Sequence, residues 1–211
     1  MTPSLDSLPQ PGYLALVIFA AYFVRGMTGF GSALVAVPLL VMVLPLKLVV
    51  PVIVLLDYLA ALSHGMRHFR QIQWRDLLPM IPSTLLGILI ALFLLENVQP
   101  GLLTDGLGIF IIGYAVYSLL PLPALNGSRL WAAPLGLLAG LAGTLFATGG
   151  PFSVIYLELR KLSKNAFRGT IASLLFIDGG MRLIGFTASG FYHRENLILV
   201  LLGLPIYLSQ D

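Results

Sequence analysis

The sequence predicts an all-α integral membrane protein built from two inverted repeats, and three observations lead to that fold class. Hydrophobic residues make up 58% of the chain and charged residues only 10%, whereas soluble domains carry about 25% charged residues. Long apolar segments alternate with short polar ones, and the mean hydropathy is +0.94. Two of the apolar regions are interrupted by glycine-rich turns. A soluble globular domain is therefore excluded, because too little polar surface exists to face water.

The composition also limits which partners and cofactors are expected. The net charge of +3 does not indicate nucleic acid, because the basic residues form short clusters between apolar segments, as membrane loops do. The lipid bilayer is the expected partner, and a homo-oligomer is left open. The chain has no cysteine, which excludes disulfides and thiolate sites. No motif indicates a metal or a cofactor.

The apolar segments are all expected to be helical. Those at 48–66, 77–95, 102–120 and 169–190 are long enough to span a bilayer, which takes about 20 residues. The shorter ones lie at 13–24, 32–45, 131–146, 151–159 and 196–208.

Two interrupted regions do not fit a simple span. Residues 25–31 interrupt the region 13–45, and residues 147–151 interrupt the region 131–159. A straight helix over the first region would be about 50 Å long, far beyond a hydrocarbon core of about 30 Å. Each half alone is too short to cross. We expect two half-helices meeting at each glycine turn, either as a broken span or as a re-entrant hairpin.

Counting charges favours hairpins. If each interrupted region crossed once, the loop Lys and Arg residues would split five against five, which gives no orientation signal. If each returns to its own side, only Lys47 and Arg194 lie on one side and eight residues on the other. Those eight are Arg67, Arg70, Arg75, Arg129, Arg160, Lys161, Lys164 and Arg168. The positive-inside rule then predicts a multi-pass protein of the cell membrane with its N-terminus outside.

The two halves show a faint internal repeat. Thr28-Gly29 recurs as Thr148-Gly149, and Asp57 recurs as Asp178, at spacings of 120 and 121 residues. We assign the first transmembrane repeat to 1–125 and the second to 126–211. A hairpin followed by three spans crosses an odd number of times, so the second repeat is inverted. Counterparts of the spans at 77–95 and 102–120 would extend past Asp211, so we expect the second repeat to be truncated.

The glycine turns are the candidate substrate site. A half-helix that begins inside the membrane presents free N–H groups and a positive dipole end, which attract anions, and a small anion is therefore the expected substrate. The alternative is that small residues only allow close helix packing. The candidate substrate-binding residues are Arg25, Thr28, Gly29, Gly31, Ser32, Thr148, Gly149, Gly150 and Ser153.

Intramembrane charges supply candidates for coupling or gating. Asp57 and Asp178 lie within apolar segments, where carboxylates are functional candidates by default. Arg182 follows Asp178 at helical i,i+4 spacing, so the alternative for this pair is a structural ion pair. Arg25 is expected near mid-membrane, or else extends its charge to an interface.

Two glycine-rich stretches carry a family resemblance. The first runs from Gly26 to Ser32 as GMTGFGS and continues to Val37-Pro38-Leu39. The second runs from Gly140 to Gly143, then from Ala147 to Phe152 as ATGGPF, and continues to Tyr156-Leu157. With these residues the chain resembles the sulfite exporter TauE/SafE family of membrane permeases. The resemblance implies transport of sulfite, sulfonate or other organosulfur anions, often as export.

Two other classes of function stay open on the sequence alone. One is a membrane-embedded enzyme that uses the carboxylates or His64 and His68, which have i,i+4 spacing but no evident third metal ligand. The other is a membrane scaffold that does not transport. The leading prediction is a permease for small anions and not an enzyme.

Overall fold

The computed structural model describes residues 11–28, 32–64, 72–119 and 127–192, and within these residues every regular element is a helix. The all-α prediction is thus confirmed. A 3₁₀ turn, Arg129–Trp131, precedes α7. The helices are α1 (Pro11–Thr28), α2 (Ser32–Val41), α3 (Leu46–His64), α4 (Trp74–Leu77), α5 (Met80–Asn97), α6 (Pro100–Leu119), α7 (Ala132–Phe146), α8 (Gly150–Leu159) and α9 (Lys164–Ala188).

Four helical stretches among the described residues are long and apolar enough to cross a membrane: Trp74–Asn97, Pro100–Leu119, Arg129–Phe146 and Lys164–Ala188. Trp74–Asn97 contains the predicted span at 77–95, and Pro100–Leu119 and Lys164–Ala188 overlap most of the predicted spans at 102–120 and 169–190. Most of the predicted span at 48–66 lies in α3, which has 19 residues and ends at His64, while residues 65 and 66 lie outside the described residues.

The stretch Arg129–Phe146 corrects one expectation. Its half of the second interrupted region was expected to be too short to cross, yet it has 18 residues. The helical path begins earlier than the apolar segment because the Ser128 side chain accepts a hydrogen bond from the Leu130 N–H at 3.2 Å. That cap adds the 3₁₀ turn to the helix. Length alone therefore does not decide whether this segment spans.

The first interrupted region is an antiparallel helix pair. At its open end the Tyr13 hydroxyl donates to the Leu39 carbonyl at 2.9 Å, which brings the start of α1 beside the end of α2. α1 runs through Thr28, so Arg25 lies in its last turn and not in the turn between helices. Residues 29–31 and their glycines lie outside the described residues.

The second interrupted region folds back in the same way. The Gly127 N–H donates to the Leu159 carbonyl at 3.2 Å, so the start of α7 lies beside the end of α8. Ala147 adopts the left-handed conformation, with φ of 57°, and ends α7 at the turn. Both regions are therefore helical hairpins, and the broken-span alternative is wrong.

The turn of the second hairpin reaches the middle of a neighbouring helix. Phe146, the last residue of α7, stacks on Phe110 with ring centroids 5.5 Å apart, and Phe110 lies midway along α6. At the first hairpin, Ser32 bonds to Asp57, which lies midway along α3. We call these two turn regions the first tip and the second tip.

Helix α5 packs on α7 through small residues, and both helices run in the same direction. The Ser83 hydroxyl donates to the Ala132 carbonyl at 3.1 Å near their starts. A Cβ atom on Gly140 would lie 3.0 Å from the Ile88 backbone nitrogen further along. Such close approach needs glycine, as is common where membrane helices pack. The opposite faces of α5 and α6 expose large apolar side chains, among them Leu86, Leu89, Phe93, Ile109 and Ile112.

Helices α3 and α9 cross in opposite directions. Tyr58 stacks on Phe176 with centroids 5.2 Å apart, and the Tyr192 hydroxyl donates to the Pro51 carbonyl at 3.1 Å. Burial raises the pKa of the Tyr192 hydroxyl, which therefore stays a donor at physiological pH. The predicted apolar segment 196–208 and the boundary between residues 125 and 126 lie outside the described residues.

One end of the bundle gathers the basic residues, and we call it the basic end. The Gln73 N–H donates to Thr170 at 3.0 Å, and Arg129 and Arg160 both bind Asp76. Tyr13, Leu39 and Tyr192 lie at the opposite end. For the basic residues that the structure describes, this grouping agrees with the distribution expected from two hairpins; Arg67, Arg70 and Arg194 lie outside the described residues.

Candidate functional site: the two hairpin tips

At the first tip, one carboxylate oxygen collects three donors. Asp57 Oδ1 accepts from the Ser32 hydroxyl at 2.8 Å, from the Tyr22 hydroxyl at 3.0 Å and from the guanidinium of Arg25. Tyr22 and Arg25 come from α1, Ser32 from the first residue of α2, and Asp57 from α3. The first hairpin thus places these donors beside the middle of α3.

This network pairs two residues to which the sequence assigned separate roles. Arg25 was a candidate anion ligand and Asp57 a candidate coupling group, and no spacing rule connected them. A charge inside a membrane needs a partner, and Asp57 supplies one for Arg25. Thr28 is the last residue of α1, and Gly29 and Gly31 lie outside the described residues.

At the second tip, the ion pair is internal to one helix. Arg182 binds Asp178 one turn earlier on α9, and the two residues are only 6% and 3% exposed. The alternative that Asp178 and Arg182 form an ion pair with each other is confirmed as a contact. Sequence reasoning found this pair because its spacing is local.

Two glycines make room for the Arg182 guanidinium. A Cβ atom on Gly143 of α7 or on Gly149 of the turn would overlap it. Arg182 also donates to the Ala139 carbonyl at 3.4 Å. Gly149 therefore does more than allow a turn, because it lets a buried cation contact the hairpin backbone.

Several buried polar atoms around this ion pair have no hydrogen-bond partner among the described residues. They are Thr144 Oγ1, Ser153 Oγ, Asp178 Oδ1 and Arg182 Nε. Thr144 follows Gly143, and Ser153 lies one helical turn beyond Gly149. Leaving a buried polar group unpaired costs about 1–3 kcal/mol. Three of the four atoms carry hydrogens to donate, which is the chemistry that an oxyanion requires.

The helix start at this tip adds further donors. Gly149 is the N-cap of α8, and no side chain caps the free N–H groups of this 10-residue helix. Gly150 begins the helix, and Pro151 lies in its first turn. The N–H and the hydroxyl of Thr148 both donate to the Ala142 carbonyl, at 3.2 and 3.4 Å.

The aspartates of the two tips lie close to the point where α3 crosses α9. Tyr58 follows Asp57, and Gly179 follows Asp178. A Cβ atom on Gly179 would lie 3.0 Å from Tyr58 Cδ2. Asp57 and Asp178, one from each ion pair, therefore lie on neighbouring helices next to the residues that make contact.

Sequence reasoning missed a second group of charges at the basic end. Asp76, Arg129 and Arg160 come together from three elements, and the only signal was a carboxylate directly before an apolar segment. No cluster of three residues able to hold a metal ion occurs in the part of the chain that the structure describes.

Comparison with known proteins agrees with the motifs at the tips. Residues 14–208 match the sulfite exporter TauE/SafE family. The chain is also 28% identical, over 162 residues, to a protein of Comamonas testosteroni named probable inner membrane transporter protein TsaS. That match covers 73% of this chain and 66% of the relative, so the chain spans about two thirds of that protein's length. No solved structure matches the chain.

The family match covers nearly every described helix, including both hairpins and the ion pairs on α3 and α9. It agrees with four apolar helices long enough to cross a bilayer and places the protein in the cell membrane as a multi-pass protein. The chain belongs to the sulfite exporter TauE/SafE family.

Proposed function

We propose that this protein is a permease for small oxyanions, with its substrate site at the second tip. The observation that carries this proposal is the set of buried polar atoms on α7, α8 and α9 that have no partner among the described residues. Two hydroxyls, a guanidinium N–H and the start of α8 all stabilise negative charge, and Gly143 and Gly149 place α7 and the turn before α8 against the Arg182 guanidinium. Thr144 joins the predicted ligands Gly149, Gly150 and Ser153 in this site.

The proposed substrates are sulfite, sulfonates or other organosulfur anions. The family name supports sulfite, and the donor set suits any small anion with several oxygen acceptors. Export is the proposed direction. An inside-negative membrane potential favours the exit of an anion by about 2.3 kcal/mol per charge for each 100 mV.

The ion pairs are proposed to couple or gate transport. Each tip contains one arginine and one aspartate, so each is neutral when both groups are ionised. An anion that binds beside Arg182 adds an uncompensated negative charge, which is costly in a low-dielectric region. Binding becomes favourable once Asp178 takes up a proton or releases the arginine. Arg25 and Asp57 are proposed to act in the same way at the first tip.

We propose that the two halves are inverted repeats and that the basic end faces the cytoplasm. Three features support the repeat. Asp57 and Asp178 are matched by a shift of 121 residues. Ser32 and Ser153 are matched by the same shift, and both are buried at a tip. The matched positions Tyr58 and Gly179 also contact each other, as residues near a pseudo-twofold axis do.

The experiment is anion flux in proteoliposomes that contain the full chain. Wild-type protein is expected to transport sulfite. Ser153→Ala removes one unpaired hydroxyl, so folding is retained, but the KM for sulfite is expected to rise about tenfold, because a hydrogen bond to a charged group contributes about 1.5–3 kcal/mol. Ser173→Ala is the matched control, since the Ser173 hydroxyl is also buried but donates to the Gly169 carbonyl of its own helix at 2.9 Å.

Two negative results of the flux experiment would contradict different parts of the proposal. Wild-type protein that transports no sulfite or methanesulfonate would contradict the permease function and favour the scaffold alternative. Flux with the same KM in Ser153→Ala and wild type would contradict the assignment of the site.

A further inference from the structure

A second cluster of charges lies at the basic end, away from the tips. Asp76 Oδ1 accepts the Nε–H of Arg129 and the Nε–H of Arg160, both at 3.0 Å. Asp76 belongs to α4, Arg129 to the turn before α7, and Arg160 follows α8. Two guanidinium groups share one carboxylate that is 5% exposed, so the cluster carries one excess positive charge.

The arginines of this cluster have N–H groups beyond those that bind Asp76. A guanidinium has five N–H groups, and Arg129 uses only its Nε–H on the described residues. Its side chain is 51% exposed, so its two terminal nitrogens are open to a ligand. Arg160 is more constrained, because it also donates to the Gly127 carbonyl at 2.7 Å.

Tyr156 is an independent indication of a ligand. This residue of α8 is completely buried, and its hydroxyl has no hydrogen-bond partner among the described residues. Asp76, Arg160 and Arg129 are the charged groups that act on that hydroxyl. A buried tyrosine hydroxyl normally has a partner, and here the surrounding charge is net positive.

A small apolar cleft lies between the cluster and the second tip. A narrow cleft between α5 and α9 is lined by Leu77 and Leu174 near the basic end, and by Asp178 and Met181 near the tip. Leu77 is the residue next to Asp76. The cleft thus lies between Leu77, which is next to the charge cluster, and Asp178 of the ion pair on α9.

We propose that Arg129, Arg160, Asp76 and Tyr156 form a binding site for an oxyanion at the basic end. The terminal nitrogens of Arg129 and the Tyr156 hydroxyl donate to its oxygens, while Asp76 holds the two arginines in place. The ligand chemistry is that of sulfite or of a phosphate group, which either a free ion or an anionic lipid headgroup supplies. A role in capturing substrate before transport rests on the permease function proposed above, whereas anion binding itself does not.

The test is sulfite binding to the full chain in nanodiscs of phosphatidylcholine, measured by titration calorimetry. Two classes of site are expected, and Ser153→Ala weakens the class at the second tip. Tyr156→Phe and Arg129→Gln are expected to weaken the other class about tenfold, because each removes a hydrogen bond to a charged ligand. Tyr156→Phe removes only an unpaired hydroxyl, so a loss of folding does not explain its effect.

Matched controls separate this site from a general effect of charge. Arg75→Gln removes an exposed arginine of the same region that makes no ion pair among the described residues, and Tyr117→Phe removes an exposed hydroxyl on α6. Both are expected to bind sulfite like wild type. If wild type shows only the class that depends on Tyr156 and Arg129, and Ser153→Ala binds sulfite like wild type, the tip site is contradicted and this proposal stands.

Nanodiscs that contain phosphatidylglycerol distinguish the sources of the anion. If sulfite still binds to this class, the ligand is the free ion. If phosphatidylglycerol abolishes that binding and is retained by wild type more than by Tyr156→Phe, the ligand is the lipid phosphate. The proposal is overturned if Tyr156→Phe and Arg129→Gln match their controls in both sulfite binding and lipid retention.

Discussion

Asp57 shows at the scale of single residues how this protein accommodates charge inside a membrane. Its Oδ1 accepts from Arg25, Tyr22 and Ser32, so a cation and two hydroxyls are satisfied by a single atom. Arg25 and Asp57 are 32 residues apart in the chain. Sequence spacing gave no reason to pair them, because the contact depends on how the first hairpin packs against α3.

The pairing predicts a strong asymmetry between single and double substitution. Asp57→Asn leaves Arg25 charged without a counter-ion and is expected to destabilise the fold by about 3 kcal/mol or more. Arg25→Gln combined with Asp57→Asn removes both charges and is expected to restore much of that loss. The measurement is thermal unfolding of the purified variants in detergent. Equal losses for the double variant and the sum of the single ones would show that the two residues are not coupled.

At the scale of elements, the sequence predicted most of the helices and both breaks. Apolar segments of about 20 residues identify spanning helices directly, and the loop charges indicated hairpins before any contact was known. The positions where helices begin and end were harder to predict from the sequence. α1 continues three residues past Arg25, and the Ser128 cap extends α7 backward by a 3₁₀ turn. Such ends depend on single capping contacts, which apolar patterning does not contain.

The tip of the second hairpin predicts opposite behaviour for two neighbouring glycines. A Cβ atom on Gly149 would lie 2.5 Å from the Ala139 carbonyl oxygen and overlap the Arg182 guanidinium, whereas one on Gly150 would only touch Leu175 Cδ2 at 3.9 Å. Gly149→Ala is therefore expected to lower the thermal midpoint by several degrees, which corresponds to about 1–2 kcal/mol in a chain of this size. Gly150→Ala is expected to leave it nearly unchanged.

Thermal unfolding of the two alanine variants checks this expectation. Similar midpoints for both would mean that the hairpin turn does not press against α9 as described. A fall for Gly150→Ala alone would place the tight contact on the other side of the turn.

At the scale of the whole molecule, the contacts divide the described residues between two ends. Each hairpin has its open end at one of them, the first beside Tyr13 and Leu39 and the second beside Gly127 and Leu159. The two hairpins thus open at opposite ends of the bundle, and α3 and α9, which carry Asp57 and Asp178, cross between those ends. If these ends lie at the two membrane faces, as we propose, the donors of both halves lie inside the membrane, where unpaired backbone is tolerated only when protein or a cavity surrounds it.

The arrangement predicts which positions are accessible from each face of the membrane. The chain contains no cysteine, so single introduced cysteines can be labelled without background. Gly12, Met42, Ser128 and Asn165 are exposed and flank the two hairpins. A membrane-impermeant maleimide added to intact cells is expected to label Gly12→Cys and Met42→Cys. Ser128→Cys and Asn165→Cys are expected to react only after permeabilisation, because we propose that the basic end faces the cytoplasm.

The labelling distinguishes the topologies because each pair of positions, Gly12 with Met42 and Ser128 with Asn165, flanks one interrupted region. A hairpin returns the chain to the side it left, so both members of a pair react from the same side. A region that crossed once would split its pair, one member reacting outside and the other inside. If both pairs stay together but exchange sides, the hairpins are right and the orientation is reversed. In that case the excess of basic residues would face outward, and the donors of Arg129 and Tyr156 would meet anions from the exterior.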